Sequence, residues 1–309
     1  MKCLTADIGG TFSRLAWLHG DRAPSIEIFQ NESFSDLDQV ITTFLSNNNL
    51  TNVTINRMVL ALPAPIPSDQ DKLIRLTNID WQLSKRSLTK AFDVQEIMLI
   101  NDFQAAALGV IGQTDHQSLN PSAPGSSKGP AVVTGAGTGL GLAWFADISN
   151  PGLPQATEGG HVDFSPQNAH QRALHSYLEK RYKHVSYERV LSGEGLQNID
   201  NFLTGKQRLA QDIHEAASRG KTDAIASIQL FIEILGSYVG NIALFFNPQA
   251  GIYLTGGLSQ HLAPWFDERF LSSMTAKGRM AEQVARIPVY RSLRDDAGLY
   301  GTIQLARCS

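Results

Sequence analysis

Cysteine is almost absent from this chain. Of 309 residues only Cys3 and Cys308 are cysteines, one near each end. That excludes CxxC redox centres and cysteine-based zinc sites and suits a reducing compartment, so a disulfide between the two is not expected. Excess positive charge is missing too. Against 26 Lys and Arg stand 29 Asp and Glu, a formal net charge of −3, and no basic block stands out. A nucleic-acid partner would require such a footprint, so none is expected. No apolar run reads as the ~18 residues a membrane helix needs. Residues 1–20 hold Asp7, Arg14 and His19 rather than the apolar centre of a secretory leader. A cytoplasmic protein with no membrane partner is the expectation, and the glycosylation patterns at Asn31 and Asn52 are chance matches.

Several catalytic signatures are lacking as well. Gly220-Lys221-Thr222 has the tail of a Walker loop, but Glu215 stands where its first glycine belongs. Gly125-Ser-Ser127-Lys-Gly129 matches the esterase elbow in letters only. A proline-rich coil precedes it and a strand follows, where an elbow needs strand then helix. His170 and His175 are five apart, not the four that align two metal ligands on a helix face.

What is present is an ordinary globular composition, 42% hydrophobic and 18% charged. This length favours two domains and can bury a large core without staples. Short apolar segments at Cys3–Ile8, Arg14–His19 and Ser25–Gln30 predict strands. Apolar residues at 3–4 spacing predict a helix capped by Ser35 and running to Leu45. Strand 57–62, helix 84–92, strand 96–100 and helix 103–110 follow. The later half reads as helices over 169–183, 207–218, 223–246 and 297–306, with strands at 131–134, 251–255 and 287–291. Strands alternating with helices predict a mixed or parallel sheet covered by helices.

Three glycine turns are candidate phosphate sites. Asp7-Ile8-Gly9-Gly10-Thr11 joins two strands. Glycine lets backbone amides approach a polyanion, threonine adds a donor, and aspartate offers an oxygen to a phosphate-bound magnesium. By itself it reads equally as a plain hairpin. Gly135-Ala-Gly137-Thr138-Gly139-Leu-Gly141 has more glycine than a hairpin needs, yet no last glycine for the dinucleotide fingerprint, and a strand follows. Thr255-Gly256-Gly257 ends an apolar strand, where ligands gather in such sheets.

Polar residues set among apolar segments add a second group. Asn101-Asp102 follows a buried strand and reads either as a helix cap or as a cleft pair. Glu158-Gly-Gly-His161 puts two polar side chains and bare backbone together, or is a surface turn. Glu188 sits in what looks like the first turn of a helix, where a favourable dipole alone explains it.

Together these turns resemble the sugar-kinase branch of the actin-like ATPases. Asp7–Thr11 resembles its first phosphate motif, 134–141 its second and 255–257 its adenosine motif. Ile100-Asn-Asp-Phe103, Gly135–Gly141, Glu158–Phe164, Glu188-Arg-Val-Leu-Ser-Gly193 and Ala297-Gly-Leu-Tyr-Gly301 follow, in order, the glucokinase family of proteobacteria over essentially the whole chain. The cysteine-rich zinc motif of the repressor/kinase cousins is missing, so zinc is not expected. Nor is a DNA-binding domain expected before Asp7. The loop 61–67 is richer in proline than that family's.

The resemblance implies an α/β, two-domain actin-like ATPase (ribonuclease H-like) fold with an interdomain cleft. It implies a small domain of residues 1–111 plus 295–309, a large one of 112–294, and a homodimer. It further implies ATP-dependent phosphorylation of glucose, the first step of glycolysis, with Mg2+ held by Asp7 directly or through water. Asp102 would be the general base. Asn78, Asn101, Asp102, Glu158, His161 and Glu188 would bind glucose. Asp7, Ile8, Gly9, Gly10, Thr11, Gly137, Thr138, Gly139, Gly256 and Gly257 would bind the nucleotide. A kinase of another hexose or N-acetylhexosamine is the rival enzyme, and a non-catalytic sugar sensor the rival of another class.

Overall fold

The computed structural model describes residues 1–20, 22–77 and 79–307. Asn78 and Cys308 lie outside them. The chain divides into two compact units, residues 1–113 with 296–309 and residues 114–295.

In the first unit β1 (Lys2–Ile8), β2 (Phe12–His19) and β3 (Ser25–Gln30) are followed by α1 (Leu37–Asn47) and β4 (Ile55–Leu62). A short ladder of β5 (Ile74–Arg75) and β6 (Gln82–Leu83) precedes α2 (Lys85–Ala91), β7 (Val94–Asn101) and α3 (Asp102–Ile111). The five-stranded sheet runs β3-β2-β1-β4-β7. The first three strands are antiparallel neighbours, and β4 lies parallel to both β1 and β7. One face buries Leu4, Ile8, Leu15, Met58 and Leu60 against Val40, Ile41 and Phe44 of α1. The α1 cap is Asp36, whose carboxylate accepts from the Gln39 amide at 2.8 Å, so the expected Ser35 start is one residue early. On the other face a closing helix, Ala297–Arg307, buries Leu299, Ile303 and Ala306 against Cys3, Ala16, Leu18 and Val59. It also touches α3 backbone to backbone. A Cβ on Gly109 would lie 1.9 Å from the Ala297 carbonyl, and one on Gly301 1.9 Å from that of Ala105.

The second unit repeats this strand plan. The strands β8 (His116–Ser118), β9 (Ala131–Ala136), β10 (Leu140–Phe145) and β11 (Gln155–Thr157) come first. Helices α4 (Ala169–Glu179), α5 (Gly193–Thr204), α6 (Ala210–Ser218) and α7 (Thr222–Phe246) follow, then β12 (Gly251–Thr255), α8 (Gly257–His261), α9 (Glu268–Thr275), α10 (Ala281–Ala285) and β13 (Val289–Ser292). The sheet order is β11-β10-β9-β12-β13-β8. Again an antiparallel trio meets a parallel pair, with β12 parallel to β9 and β13. The turn between β1 and β2 thus has its counterpart between β9 and β10.

The 25-residue α7, with Asp223 and Glu233 as its only acidic or basic residues, is long and apolar enough to cross a membrane. This corrects the expectation that no such stretch exists. Most of it is buried within its own unit, against Leu196, Ile199, Phe270 and Met274 among others, as a core helix is.

Candidate active site

In the first unit the turn after β1 is built by backbone bonds and one buried amide. The Gly9 amide donates to the Phe12 carbonyl at 2.9 Å. The Asn31 side chain donates to the Gly9 carbonyl at 2.8 Å and accepts from the Ser13 hydroxyl at 2.7 Å, while the Asn31 amide meets the Thr11 carbonyl at 2.9 Å. Gly9 and Gly10 are half-buried and Thr11 is exposed. Asp7, the last residue but one of β1, stands beside them, with Arg14 Nη1 at 3.8 Å. The closing helix starts against this carboxylate, since a Cβ on Gly298 would lie 2.5 Å from Asp7 Oδ2. Burial drives the Asp7 carboxyl up to about 6 despite Arg14.

At the start of α3 the two polar residues divide the work. Asn101 is the cap: its Oδ1 accepts from the amides of Phe103 (3.0 Å) and Gln104 (3.3 Å), and its Nδ2 donates to the Ala64 carbonyl at 3.3 Å. Asp102 is the first helical residue and accepts from the Phe103 amide at 2.8 Å. Burial first, and the nearby Asp7 charge second, push its carboxyl up to about 7. A carboxylate that holds a proton near neutrality is tuned for proton transfer.

In the second unit three polar side chains converge. The chain from Gly159 to His161 forms a single 3-10 turn and so does Tyr187–Arg189. His161 stands between two carboxylates, Nε2 3.8 Å from Glu158 and Nδ1 3.9 Å from Glu188. Glu188 is the least exposed of the three. Its Oε2 accepts from the Leu140 amide at 2.9 Å, at the foot of the β9–β10 turn. It sits in the first turn of a helix as expected, but that helix is only the 3-10 turn Tyr187–Arg189, and α5 begins at Gly193 with Ser192 as its cap. A Cβ on Gly139 would sit 2.6 Å from Glu188 Oε2, so this glycine makes room for the carboxylate. Gly137 and Gly257 instead face open space where a Cβ would be, the condition for a phosphate to approach the backbone.

The Glucokinase family profile matches residues 4–308. The chain is 32% identical to the glucokinase of Colwellia psychrerythraea, over 96% of this chain and 94% of that one. It is 32% identical to the glucokinase of Marinobacter nauticus, over 97% and 96%. Among solved structures, a glucokinase from an Antarctic psychrotroph superposes with a TM-score of 0.84 at 26% identity, covering 100% of this chain and 99% of that one. This chain belongs to the glucokinase family. Its α/β fold is the two-domain actin-like ATPase fold of the glucokinases and related sugar kinases.

Several of the expected site residues also have structural duties of their own. Ile8 buries its side chain in the core, which leaves only its backbone to a nucleotide. The Asn101 oxygen is committed to capping, so only its NH2 group has a hydrogen left to offer. Gly139 serves Glu188. Asn78 lies outside the described residues. Asn31 and Gly298 were missed. Nothing in sequence separates Asn31 from a surface asparagine, although Gly298 stands in the motif Ala297–Gly301. Among the described residues no group of three His, Cys, Asp or Glu gathers as a metal site.

Proposed function

We propose that this protein is an ATP-dependent glucokinase that transfers the γ-phosphoryl group of ATP to the 6-hydroxyl of D-glucose. The observation that carries the reading is Asp102, a half-buried carboxylate on the first residue of α3, beside the cap Asn101, with its carboxyl raised to about 7. As the 6-oxygen bonds to the γ-phosphorus and the bond to ADP breaks, Asp102 takes the hydroxyl proton. Positioning and charge stabilisation supply most of the catalysis of such a transfer. Glu188 and Glu158 would accept from the ring hydroxyls, since ionised acceptors make the stronger hydrogen bonds, and His161 would add a ring nitrogen. Asn101 adds one donor. The turns at Gly9, Gly10 and Thr11, at Gly137 and Thr138, and at Gly256 and Gly257 would hold phosphates and adenosine.

Magnesium usually takes one or two carboxylates and completes its shell with waters and substrate phosphates. Asp7 fits that need, a half-buried carboxylate beside the glycine turn whose nearest cation, Arg14, stands 3.8 Å off rather than in hydrogen-bond contact. It would hold Mg2+ directly or through water, and the ion would neutralise phosphate charge. The same reading carries a cytoplasmic location, the first step of glycolysis and a homodimer.

The test is a coupled assay with ATP, Mg2+ and a panel of hexoses. Glucose should give the highest kcat/KM of the panel. Preference for mannose, fructose or an N-acetylhexosamine would replace glucose as the substrate, and no turnover with any of them would leave a sugar sensor.

A further inference from the structure

Both sugar-site turns of the second unit are tied to one helix that touches no proposed ligand. The Tyr238 hydroxyl of α7 donates to the Gly159 carbonyl at 3.2 Å, inside the turn that carries Glu158 and His161. One turn further along α7, Asn241 Nδ2 donates to the Tyr187 hydroxyl at 2.9 Å, on the residue preceding Glu188. The rings of Tyr187 and Tyr238 pack with centroids 4.7 Å apart, and each residue is 2% exposed. The two turns are also sewn together. The Tyr187 amide donates to the Val162 carbonyl at 3.0 Å, and Asp163 and Ser186 form a β-bridge.

An amide such as Asn241 can flip, and a flip would turn its oxygen toward Tyr187. Lys277 prevents it. Its ammonium carries donors only, and it reaches Asn241 Oδ1 at 2.7 Å and the Ser237 carbonyl at 3.0 Å. The Lys277 stem lies along α7 where a Cβ on Gly240 would sit 2.6 Å from its Cε. The Ser237 hydroxyl, at 3.3 Å, is a third acceptor for the ammonium, whose pKa burial lowers from the ordinary lysine value.

We propose that Tyr238, Asn241 and Lys277 are positioning residues for sugar recognition. They fix the turns that carry Glu158, His161 and Glu188 from behind. The inference rests on the reading of those three residues as the glucose-binding group. Loss of one such hydrogen bond has a modest net cost, and slack in both turns follows from it.

The experiment measures KM for glucose and for ATP, glucose Kd by calorimetry, and Tm in Asn241→Leu, Asn241→Asp and Lys277→Met, with Glu188→Gln beside them. Asn241→Leu and Lys277→Met should raise glucose KM and Kd about 3–10-fold, with ATP KM within about twofold. Asn241→Asp should stay near the parent, because a carboxylate still accepts from Lys277 and from the Tyr187 hydroxyl. Lys277→Met replaces a half-buried chain by an apolar one of similar length, and decides the matter if Asn241→Leu does not fold. Unchanged glucose KM in these variants, while Glu188→Gln raises it, overturns the positioning role alone. Parallel loss of both ligands with a lower Tm also overturns it, in favour of mere packing. Unchanged glucose KM in Glu188→Gln overturns the reading of the sugar site itself.

Discussion

Asp102 carries two consequences at the scale of a residue. Its carboxyl rises from the ordinary 3.8 to about 7, burial being the larger cause. Between those values the folded chain keeps a proton that the unfolded chain has released. Stability therefore falls as pH rises from about 4 to about 7, the reverse of a salt-bridged aspartate. Asp102→Asn removes that penalty, so the variant should melt higher than the parent at pH 8 and close to it below pH 4. Thermal melts at the two pH values check this, and an equal offset at both would contradict it. The glycines divide in a similar way. Gly139→Ala should raise glucose KM more than ATP KM, because the new methyl meets Glu188 Oε2. Gly137→Val should do the opposite, because it fills open space where a phosphate would approach. Steady-state kinetics with each substrate varied separates the two; equal losses of both ligands would make the β9–β10 turn a structural hairpin. The sequence alone could not sort these glycines. Both stand in one run, and only Glu188, from 49 residues beyond Gly139, distinguishes them.

At the scale of elements, the legible parts were those with strong periodicity. The strands β1 to β4, and helices α1 and α7, show their apolar spacing plainly. Helix α5 was hidden, because Gly193 and Gly195 in its first turn argue against a helix that Ser192 nonetheless caps. The short edge strands β8 and β11 carry almost no pattern of their own and exist through pairing with β13 and β10. In sequence the pair Asn101-Asp102 reads either as a helix cap or as a cleft pair, and only geometry gives the cap to Asn101 and leaves Asp102 for chemistry. The crossing of α3 and the closing helix also needed the structure. Gly301→Val should destabilise the first unit by about 3 kcal/mol, at the upper end of overpacking costs, because the clash is with backbone and not with a flexible side chain. Chemical denaturation checks it, and a loss below about 1 kcal/mol would mean that the helices can part cheaply.

At the scale of the whole molecule, two units with the same sheet plan explain why the glycine turns recur. Each unit joins two antiparallel strands by a glycine-rich turn, β1 to β2 after Ile8 in one and β9 to β10 after Ala136 in the other. A parallel strand lies beside each of these pairs. Family membership was legible because motifs spread over the chain keep their order. The pKa of Asp102, the clasp of Asn31 on Gly9 and the reach of Lys277 were not, since each depends on residues distant in sequence. The claim that joins these scales is that Asp102 is the base of a glucose kinase, and its most direct test is Asp102→Asn. The variant keeps the size of the side chain but cannot take the proton. It should bind glucose with nearly parental Kd by calorimetry while kcat falls at least ~10²-fold. Retention of more than about a third of parental kcat would contradict the assignment, because a general base supplies far more than that.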